Sequence, residues 1–394
     1  MPTPLIKVRT VTAGITFTLG EPFETRLATL EKSSKFIAAA AEAFTAAGFE
    51  VQTTRIATNS FEEWCDAADA TATLDALRAI DKELVRLNVN LFNAGPARSA
   101  DGLALAPQII ALGPRISCTG VLSDPLDLDG AGKIAEAILT ISQTTEGGEG
   151  NFQFCGSFNV PPGIPFFPAA YHDGGPASFA LGCETSAILA DALPRAGGDL
   201  KKAKSLVTQV FEEQMRPLQA ISEELSKAHS LPYKGIDASV APLGSAPPLT
   251  KSFESLGLGL FGESGTLAIA SLVTSALKAI SNGVTICGYS GLMLPPCEDA
   301  GLAQRAAEVG GSTYRVPDLL SYSAVCGLGL DTVPIPGNVP KAKLQALLLD
   351  VAALAFRLNK PLTARLFPVP GKAAGEMTSF DNPHLVNTRV FEVP

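Results

Sequence analysis

Short β-branched segments alternate with longer helical segments along almost the whole chain, and no other sequence feature constrains the fold as strongly. The pattern begins with a strand predicted at Lys7–Gly14 and a helix predicted at Pro22–Gly48. Such alternation without a long polar linker is typical of a mostly parallel sheet covered by helices. The number of units favours an α/β barrel. We therefore expect residues 1–394 to form a single large domain, wrapped by an irregular C-terminal segment from about Pro368.

The remaining elements follow from the same reading of the sequence. Further strands are predicted at Phe49–Ile56, Asn88–Asn93, Ile116–Gly120, Asn151–Cys155, Gly235–Val240, Val284–Tyr289, Leu328–Val333 and Leu362–Phe367. Further helices are predicted at Phe61–Leu87, Ala104–Leu112, Gly130–Ser142, Ser178–Leu193, Asp199–Ser230, Ser264–Ser281, Cys297–Val309 and Pro340–Leu358.

Composition and charge narrow the class of protein. Hydrophobic residues make up 46% of the chain and charged residues only 18%, so much of the chain must be buried. The net charge of -9 argues against non-specific binding to nucleic acid or to an anionic membrane. An anionic substrate would therefore need a local positive site.

The cysteines and the N-terminal residues bear on the location of the protein. The seven cysteines are odd in number and form no CxxC pair, which fits a reduced compartment. Met1–Thr10 contains no apolar run of signal-peptide length. The most apolar stretches, such as Thr266–Ile280, are interrupted by Ser and Lys and are too short for a membrane span. We therefore expect a cytoplasmic protein.

Ligands of a parallel sheet bind beyond the carboxyl ends of its strands, so the loops there are the first place to look for a site. The segment Asn159–His172 (NVPPGIPFFPAAYH) is rich in Pro and Gly, which fix an unusual backbone path. It ends on His172, which could act as a general base or a metal ligand. The alternative is a structural histidine tied to a backbone carbonyl.

Several acids lie near predicted strand or helix ends. Glu184, in FALGCE, either complements a helix dipole or serves as a ligand or base. Asp237 and Ser239, in KGIDASVAP, either belong to a site or form a turn, since an unpaired carboxylate in an apolar strand is costly. Glu298 and Asp299 follow LMLPPC, where they either cap a helix or hold a cation.

The last candidates come from the C-terminal third of the chain. Cys326 and Asp331 lie in YSAVCGLGLDTVPIPG, where the thiol is either a reactive group or a small buried residue. Arg365 is a lone Arg in the apolar strand PLTARLFPVPG, and it is expected to bind an anionic substrate or a site carboxylate, or else to form a structural ion pair. Lys372 lies in the turn beyond that strand.

Cofactor motifs are weak in this sequence. A GxGxxG at Gly257, Gly259 and Gly262 follows KSFES rather than an apolar strand, so neither nicotinamide nor flavin is expected. The alternative for this motif is anion binding at the N-terminus of the helix predicted from Ser264. The three histidines lack zinc-type spacing. A divalent cation held by acidic residues is the one cofactor that the candidates suggest.

Long motifs give the chain a resemblance to a known family. They are RTVTAGI, NVPPGIPFFPAAYH, FALGCE, GIDASVAP, GESGTLAIASLVTSALK, LPPCEDAGLAQRAAE, YSAVCGLGLDTVPIPG and LNKPLTARLFPVPGKAAGEMTSFD. Through them the chain resembles domain-of-unknown-function family 711, also called uncharacterised protein family 0210. The resemblance implies a fold similar to pyruvate formate-lyase and anaerobic ribonucleotide reductase, a barrel of about ten strands in two halves ringed by helices, but not their chemistry.

The resemblance carries over no established reaction. The two enzymes of similar fold have a radical glycine near the C-terminus, and the C-terminal region of this sequence has no such motif. TICGYSG, around Gly288, superficially resembles that loop but lies in mid-chain within a predicted strand. The usual family pattern has an apolar residue in place of Cys297, so Cys297 is a poor catalytic candidate.

The leading hypothesis is an enzyme of lyase or hydrolase type that acts on a small anionic metabolite at the barrel mouth, by acid–base or metal-assisted chemistry. The catalytic candidates are His172, Asp237, Cys326 and Asp331. The substrate-binding candidates are Arg365, Asn159, Ser239 and Lys372. The candidate metal ligands are His172, Glu184, Asp237, Glu298 and Asp299. This hypothesis requires His172, Asp237, Asp331 and Arg365 to converge within one cavity.

Two alternatives stay open. A non-catalytic metabolite sensor would have Arg365 in a pocket that lacks a proton-transfer pair. Glycyl-radical chemistry would need Gly288 and Cys326 to face each other inside the barrel. The expected partners are a small anionic molecule and, as a homo-oligomer, further copies of the chain, with neither nucleic acid nor membrane among them.

Overall fold

A computed structural model describes residues 4–244, 246–308 and 310–394. Its strands are β1 (Lys7–Ile15), β2 (Val51–Thr58), β3 (Leu91–Ala97), β4 (Ile116–Leu122), β5 (Phe154–Phe158), β6 (Ser178–Glu184), β7 (Tyr233–Asp237), β8 (Gly329–Pro336) and β9 (Leu362–Val369). Its helices are α1 (Phe23–Ala46), α2 (Ala70–Arg86), α3 (Ala100–Ile110), α4 (Leu128–Thr144), α5 (Ser186–Arg195), α6 (Leu200–His229), α7 (Leu249–Glu254), α8 (Thr266–Lys278), α9 (Ala300–Ala306), α10 (Val316–Ser323) and α11 (Lys341–Arg357). Short 3-10 helices span Phe61–Glu63 and Glu146–Gln153.

The nine strands form one sheet in the order β7-β6-β1-β2-β3-β4-β5-β9-β8. β1 to β5 are parallel neighbours, whereas β6 pairs antiparallel with β1 and β9 pairs antiparallel with β5. β7 is parallel to β6, and β8 is parallel to β9. The prediction of a mostly parallel sheet with flanking helices is therefore confirmed. Because the outer four strands run the opposite way, they end where β1 to β5 begin.

Helices cover one face of the sheet. Val8 and Val11 of β1 are buried in the same core as Leu30 and Ile37 of α1, the helix that follows this strand. The sequence places such apolar residues on the helix-facing side, and the opposite side of several strands carries polar residues that are also buried. Buried polar residues need partners, so this second face is where a site is expected.

One predicted helix is wrong. Ser178–Leu193 is not a single helix, because Ser178–Glu184 forms β6 and α5 begins only at Ser186. The apolar residues of FALGCE fit a buried strand or a buried helix equally well, and hydrogen bonding to β1 decides for the strand. Glu184 therefore ends a strand instead of opening a helix.

The predicted strand at Val284–Tyr289 is not one of the nine. This part of the chain forms isolated bridges instead, from Ile286 to Ile236 and from Leu292 to Val240. On its other side the carbonyl of Leu292 accepts a hydrogen bond of 2.9 Å from the backbone of Gly327, just before β8. The segment 284–293 thus contacts both the β7 region and the chain leading into β8.

The regions near the C-terminus differ in detail from the prediction. The helix expected at Cys297–Val309 is the shorter α9, and Val309 itself lies outside the described residues. Beyond β9 the chain is irregular, and it returns to the body where Phe391 donates a backbone hydrogen bond to Pro334. Among the helices of the described ranges, none combines the length and apolar character needed to cross a bilayer.

Candidate functional site

A cavity of 1220 Å³ lies at the end of the sheet where β1 to β5 begin. Successive side chains of a strand point to opposite faces, and the face that turns away from the helices brings three arginines to this cavity. They are Arg9 of β1, Arg55 of β2 and Arg365 of β9. Arg55 and Arg365 are buried, and the Arg9 side chain is only 11% exposed. Buried guanidinium groups need anionic partners, either in the protein or in a ligand.

Arg365 is paired with two carboxylates of the protein. Its Nε lies 2.7 Å from Oδ1 of Asp331, and its Nη2 lies 2.7 Å from Oε1 of Glu298. The other Glu298 oxygen is 3.5 Å from Nη2 of Arg9. Burial alone would lower the pKa of Arg365, but the two carboxylates outweigh burial and raise it. Burial raises the pKa of Glu298 and Asp331 adds to the rise, while Arg365 and Arg9 oppose it.

Arg55 differs because its guanidinium has no such partner. Its Nε donates to the Thr53 hydroxyl at 3.0 Å, and its guanidinium lies over the Phe167 ring at 5.2 Å. No carboxylate of the described residues lies within 4.0 Å of it. Burial and the neighbouring Arg9 and Arg365 lower the pKa of Arg55 to about 9, so the group stays charged at neutral pH. An added anion would stabilise this cation.

The inner charges of the cavity do not cancel. Three guanidinium groups face two carboxylates, which leaves one net positive charge. The rim carries further acids, Glu50, Glu146 and Glu149, but these are exposed or half-buried and are screened by water, and Glu50 is paired with Lys7. The buried part of the cavity therefore favours an anion.

Neutral polar groups line the deeper wall. The Cys155 thiol contacts the Thr119 hydroxyl at 3.3 Å, and burial raises the pKa of Cys155 to about 12, so it stays protonated. The hydroxyl of Tyr289 is buried, and no side chain or backbone group of the described residues forms a hydrogen bond with it. Burial raises the pKa of Tyr289 well above its usual value, and the nearby Thr363 hydroxyl acts weakly in the opposite direction without forming a hydrogen bond of normal geometry.

A histidine that the sequence analysis did not single out also lines the cavity. His384, in the irregular C-terminal segment, stacks on Phe152 with ring centroids 6.2 Å apart. The Arg365 guanidinium lies 4.8 Å from the centroid of the same Phe152 ring. Burial together with Arg9 and Arg55 lowers the pKa of His384, which keeps its imidazole neutral near pH 7.

The Pro-rich loop that was predicted to carry catalytic residues forms the floor of the cavity instead. Phe166, Phe167, Pro168 and Ala169 line the cavity, and Phe166 and Ala169 pack against Tyr289 and other apolar side chains. Side chains on the inner face of the sheet hold the loop backbone, since Thr12 and Asn93 donate to its carbonyl groups at 2.9 and 2.6 Å.

His172, at the end of this loop, lies elsewhere. It lines a separate pocket of only 20 Å³, close to Gly14, where the absence of a Cβ leaves room for the imidazole ring. Its Nε2 lies 3.2 Å from the Pro176 carbonyl and its Nδ1 accepts from the backbone of Gly174. Burial lowers the pKa of His172, although Asp173 opposes the shift. These contacts are those of a structural histidine tied to a backbone carbonyl.

Asp237 is also separate from the cavity. It is fully buried, and it accepts hydrogen bonds from the backbones of Ser239, Tyr289 and Ser290 and from the Ser239 hydroxyl. Burial raises its pKa against the effect of these donors. A Cβ added at Gly288 would collide with this carboxylate, so Gly288 faces Asp237. Radical chemistry would require Gly288 to face Cys326 instead.

The prediction that His172, Asp237, Asp331 and Arg365 converge in one cavity is wrong. Of these four residues, only Asp331 and Arg365 meet in the cavity.

The five candidate metal ligands do not form one site. Glu184 accepts a hydrogen bond from the backbone of Ser186, and Asp299 caps α9 by accepting from Leu302 and also accepts from Leu249. Glu298 pairs with Arg9 and Arg365. His172 and Asp237 are occupied by hydrogen bonds with nearby backbone groups. Across residues 4–244, 246–308 and 310–394, no group of three His, Cys, Asp or Glu side chains is suitably placed for a metal ion. The suggestion of a shared metal site is therefore corrected.

The remaining candidates lie outside the cavity wall. Cys326 is buried, burial raises its pKa against the opposing effect of Lys360, and its carbonyl accepts from the Lys360 ammonium. Asn159 donates to the side chain of Asn359 at 3.2 Å. Ser239 serves Asp237, and the backbone of Lys372 closes a turn with Val369. The structure brings none of these four candidates to the cavity.

The residues that sequence reasoning missed did leave a signal. Arg9 in KVRTVTAGI and Arg55 in VQTTRIAT are lone arginines in β-branched strands, as Arg365 is in PLTARLFPVPG. The argument that predicted an anion near Arg365 applies equally to them. Nothing in the local sequence distinguishes Tyr289, Cys155 or His384, because their positions depend on distant parts of the chain.

Comparison with known proteins gives the family. A UPF0210 protein of Pyrobaculum aerophilum is 32% identical over 271 residues, which are 64% of this chain and 56% of that protein. A UPF0210 protein of Lactobacillus delbrueckii subsp. bulgaricus is 28% identical over 264 residues, which are 65% of this chain and 57% of that protein. The chain thus spans little more than half the length of these relatives. The family model described as "Uncharacterised ACR (DUF711)" matches residues 3–382, and the chain therefore belongs to that family.

Proposed function

We propose that the protein is an enzyme that binds a small anionic metabolite in the arginine-lined cavity. The observation that carries the proposal is Arg55, a buried cation on the cavity wall without a carboxylate partner among the described residues. Keeping a charge out of water is costly unless an opposite charge compensates it. A carboxylate or phosphate group of a ligand would supply that charge.

Glu298 and Asp331 are the proposed proton-transfer groups. Both carboxylates lie on the cavity wall, and the burial that raises the pKa of Glu298 favours its role as a proton donor. Arg365 holds the two acids in place at 2.7 Å each. Lyase and hydrolase chemistry can both use a proton donor beside a bound anion, so both stay within the proposal. His172 and Asp237 have no part in it.

A non-catalytic sensor is the second candidate, and the same Arg55 supports it. A sensor needs the anion-binding group but no proton transfer. The two candidates therefore differ only in what Glu298 does.

Radical chemistry is not favoured, because the glycine that it would use packs against Asp237. Homo-oligomer formation and a cytoplasmic location stay predictions, and the free thiol state of all seven cysteines supports a reducing compartment.

We also infer that the sheet closes into a barrel of two halves. The support is the segment 284–293, which bridges to Ile236 and Val240 on one side and receives a hydrogen bond from Gly327 on the other. Used as a further strand, this segment would join the β7 edge to the β8 edge. The likeness to pyruvate formate-lyase and anaerobic ribonucleotide reductase stays a prediction. An experimental structure with these two edges open would contradict the closure.

Anion binding is testable with sulfate and propionate as probes, by calorimetry and thermal shift. We expect the unmodified protein to bind both, and Arg55→Met to bind them roughly tenfold more weakly or worse. Arg78→Met is the matched control, since Arg78 is exposed, pairs with Asp75 and does not line the cavity. Equal binding by all three proteins would contradict the proposal.

Catalysis is tested separately from binding. The protein is incubated with a metabolite extract, and mass spectrometry follows which anions are consumed. An enzyme consumes at least one anion, and Glu298→Gln stops the consumption while sulfate still binds. Binding without any consumption would favour the sensor.

A further inference from the structure

The ring of Phe167 lies on the cavity wall but packs into none of the hydrophobic cores that the described residues form. Its neighbours in the Pro-rich loop differ, since Phe166 and Ala169 are buried in one of those cores. Phe167 itself is only half-buried. Aromatic side chains normally bury most of their large apolar surface. The protein therefore leaves the packing of this ring incomplete on the side of the cavity.

Phe167 lies beside the arginine that has no carboxylate partner. The guanidinium of Arg55 is 5.2 Å from the centroid of the Phe167 ring. Leu91 of β3 is paired with Arg55 in the parallel register of the sheet, and it too is half-buried, lines the cavity and packs into none of the same cores of the described residues. Water would suit the cation but not its two apolar neighbours. A ligand that joins an acid group to an apolar body suits all three.

Phe152 is a second half-buried ring on the cavity wall, and the protein itself supplies its contacts. It packs against the core that Phe380 and Leu385 belong to, and His384 stacks on it at 6.2 Å. The guanidinium over its ring is that of Arg365, which is paired with two carboxylates. The combination of an unpaired cation with an unpacked ring is therefore a property of Arg55 and Phe167.

The cavity is large enough for a ligand that carries a ring. Its volume of 1220 Å³ is above the roughly 300–1,000 Å³ of typical small-molecule sites, so a three-carbon anion would fill only a small part of it. An aromatic ring next to Phe167 would stack offset or edge to face, which is more favourable than burial of the same apolar area alone.

We propose that the anions bound at Arg55 carry an aromatic ring that packs against Phe167, so that the ligands are aromatic acids rather than small aliphatic ones. The inference rests on the proposed function, because Arg55 must hold the acid group. In this arrangement Arg55 recognises the charge, and Phe167 selects the body that is attached to it.

The test compares carboxylates that differ only in the ring, by calorimetry on the unmodified protein. Phenylpropionate is compared with cyclohexylpropionate and with propionate. Burial alone favours the bulkier cyclohexyl ring, so tighter binding of the phenyl compound reports aromatic packing. We expect phenylpropionate to bind roughly threefold more tightly than cyclohexylpropionate, and roughly tenfold more tightly than propionate. Benzoate and phenylacetate, with their cyclohexyl counterparts, repeat the comparison at shorter separations of acid and ring.

Variants of Phe167 assign the preference to this side chain. Phe167→Leu keeps an apolar side chain and removes the ring, so the preference for the phenyl compounds should disappear while the affinities for sulfate and propionate change by less than about twofold. Phe167→Tyr keeps the ring and should keep the preference. Phe356→Leu is the matched control and should change none of these affinities, because Phe356 is also half-buried but lies in α11 and does not line the cavity.

Three results would overturn the inference while leaving the proposed function in place. One is Arg55-dependent binding of sulfate and propionate without a preference for the phenyl compound in any pair. Another is a preference that survives in Phe167→Leu. The third is an equal loss of sulfate and phenylpropionate binding in Phe167→Leu, which would make the ring only a support for Arg55. If the unmodified protein binds neither sulfate nor any of the carboxylates, the proposed function fails and the inference fails with it.

Discussion

Two buried acidic regions of this protein look alike in the sequence and differ in how far the protein itself supplies partners for their charged groups. Asp237 is the last residue of β7, and the protein itself surrounds it with three backbone N–H groups and one hydroxyl. Glu298 and Asp331 instead belong to a cluster with arginines on a cavity wall, where a positive charge is left over. Burial of an acid therefore does not identify a site. Incomplete satisfaction by the protein is the better indicator.

The largest effect expected from this comparison is the loss of Arg365. Arg365→Met leaves the buried carboxylates of Glu298 and Asp331 without their shared partner, and breaking a buried ion pair from one side costs about 3–5 kcal/mol. Urea denaturation would measure the loss in the free energy of unfolding. Arg55→Met removes the same charge without orphaning a carboxylate, and we expect a change within about 1 kcal/mol. Equal losses in the two variants would remove the distinction between the paired and the unpaired arginine.

A smaller effect is expected at Asp237. Asp237→Asn keeps the shape but places an NH2 group where a carboxylate oxygen accepted from a backbone N–H, and we expect a loss of roughly 1–3 kcal/mol in the free energy of unfolding. The affinity for sulfate should stay unchanged, because the hydrogen-bond partners of Asp237 all come from the protein and none from a ligand. Asp173→Asn, at an exposed position, is the control and should change neither quantity. A large loss of sulfate binding in Asp237→Asn would join the two regions into one site.

The fold could be predicted further than the site. Alternating strands and helices gave a mostly parallel sheet, because periodicity is local information. The helix predicted at Ser178–Leu193 was wrong because a short apolar run suits a buried strand and a buried helix equally well. Pairing with β1, a strand about 170 residues earlier in the chain, decides for the strand. The strand predicted at Val284–Tyr289 was wrong for a related reason, since this part of the chain pairs only through isolated bridges.

For the site, the sequence identified Arg365, Asp331 and Glu298 but grouped them with the wrong partners. His172 was chosen because a rigid loop ends on it. The rigid backbone instead holds the loop against the face of the sheet that turns away from the helices. Tyr289 could not have been found, since its place on the cavity wall depends on distant parts of the chain.

The affinity of the cavity for an anion should also depend on pH, and Glu298 sets the direction of that dependence. Ionised Glu298 repels a bound anion, so the affinity for sulfate should rise as pH falls through the raised pKa of Glu298. Arg365 and Arg9 contact this carboxylate and Asp331 lies beside it, so its protonation leaves the cluster more positive. As pH falls from neutral through that raised pKa we expect roughly a tenfold gain in affinity, measured by calorimetry with sulfate, which stays a dianion over this titration.

Two variants separate the groups that could cause this pH dependence. Glu298→Gln should flatten the profile and bind sulfate more tightly at neutral pH. His384→Gln should leave most of the profile intact, because burial, Arg9 and Arg55 lower the pKa of His384 and move its protonation to more acidic pH. A profile that flattens only in His384→Gln would assign the response to the histidine.

The smallest effect is expected at His172, which resembles Asp237 in being completed by the protein. Its Nδ1 accepts from Gly174, so its Nε2 carries the proton that the Pro176 carbonyl accepts, and neither nitrogen is left for a substrate. His172→Gln should therefore leave the affinity for sulfate unchanged and cost no more than about 1 kcal/mol of unfolding free energy. A loss of sulfate binding in this variant, with its unfolding curve intact, would mean that the small pocket and the arginine-lined cavity act together. The contrast between completed and incomplete polar groups would then fail as a guide to the site.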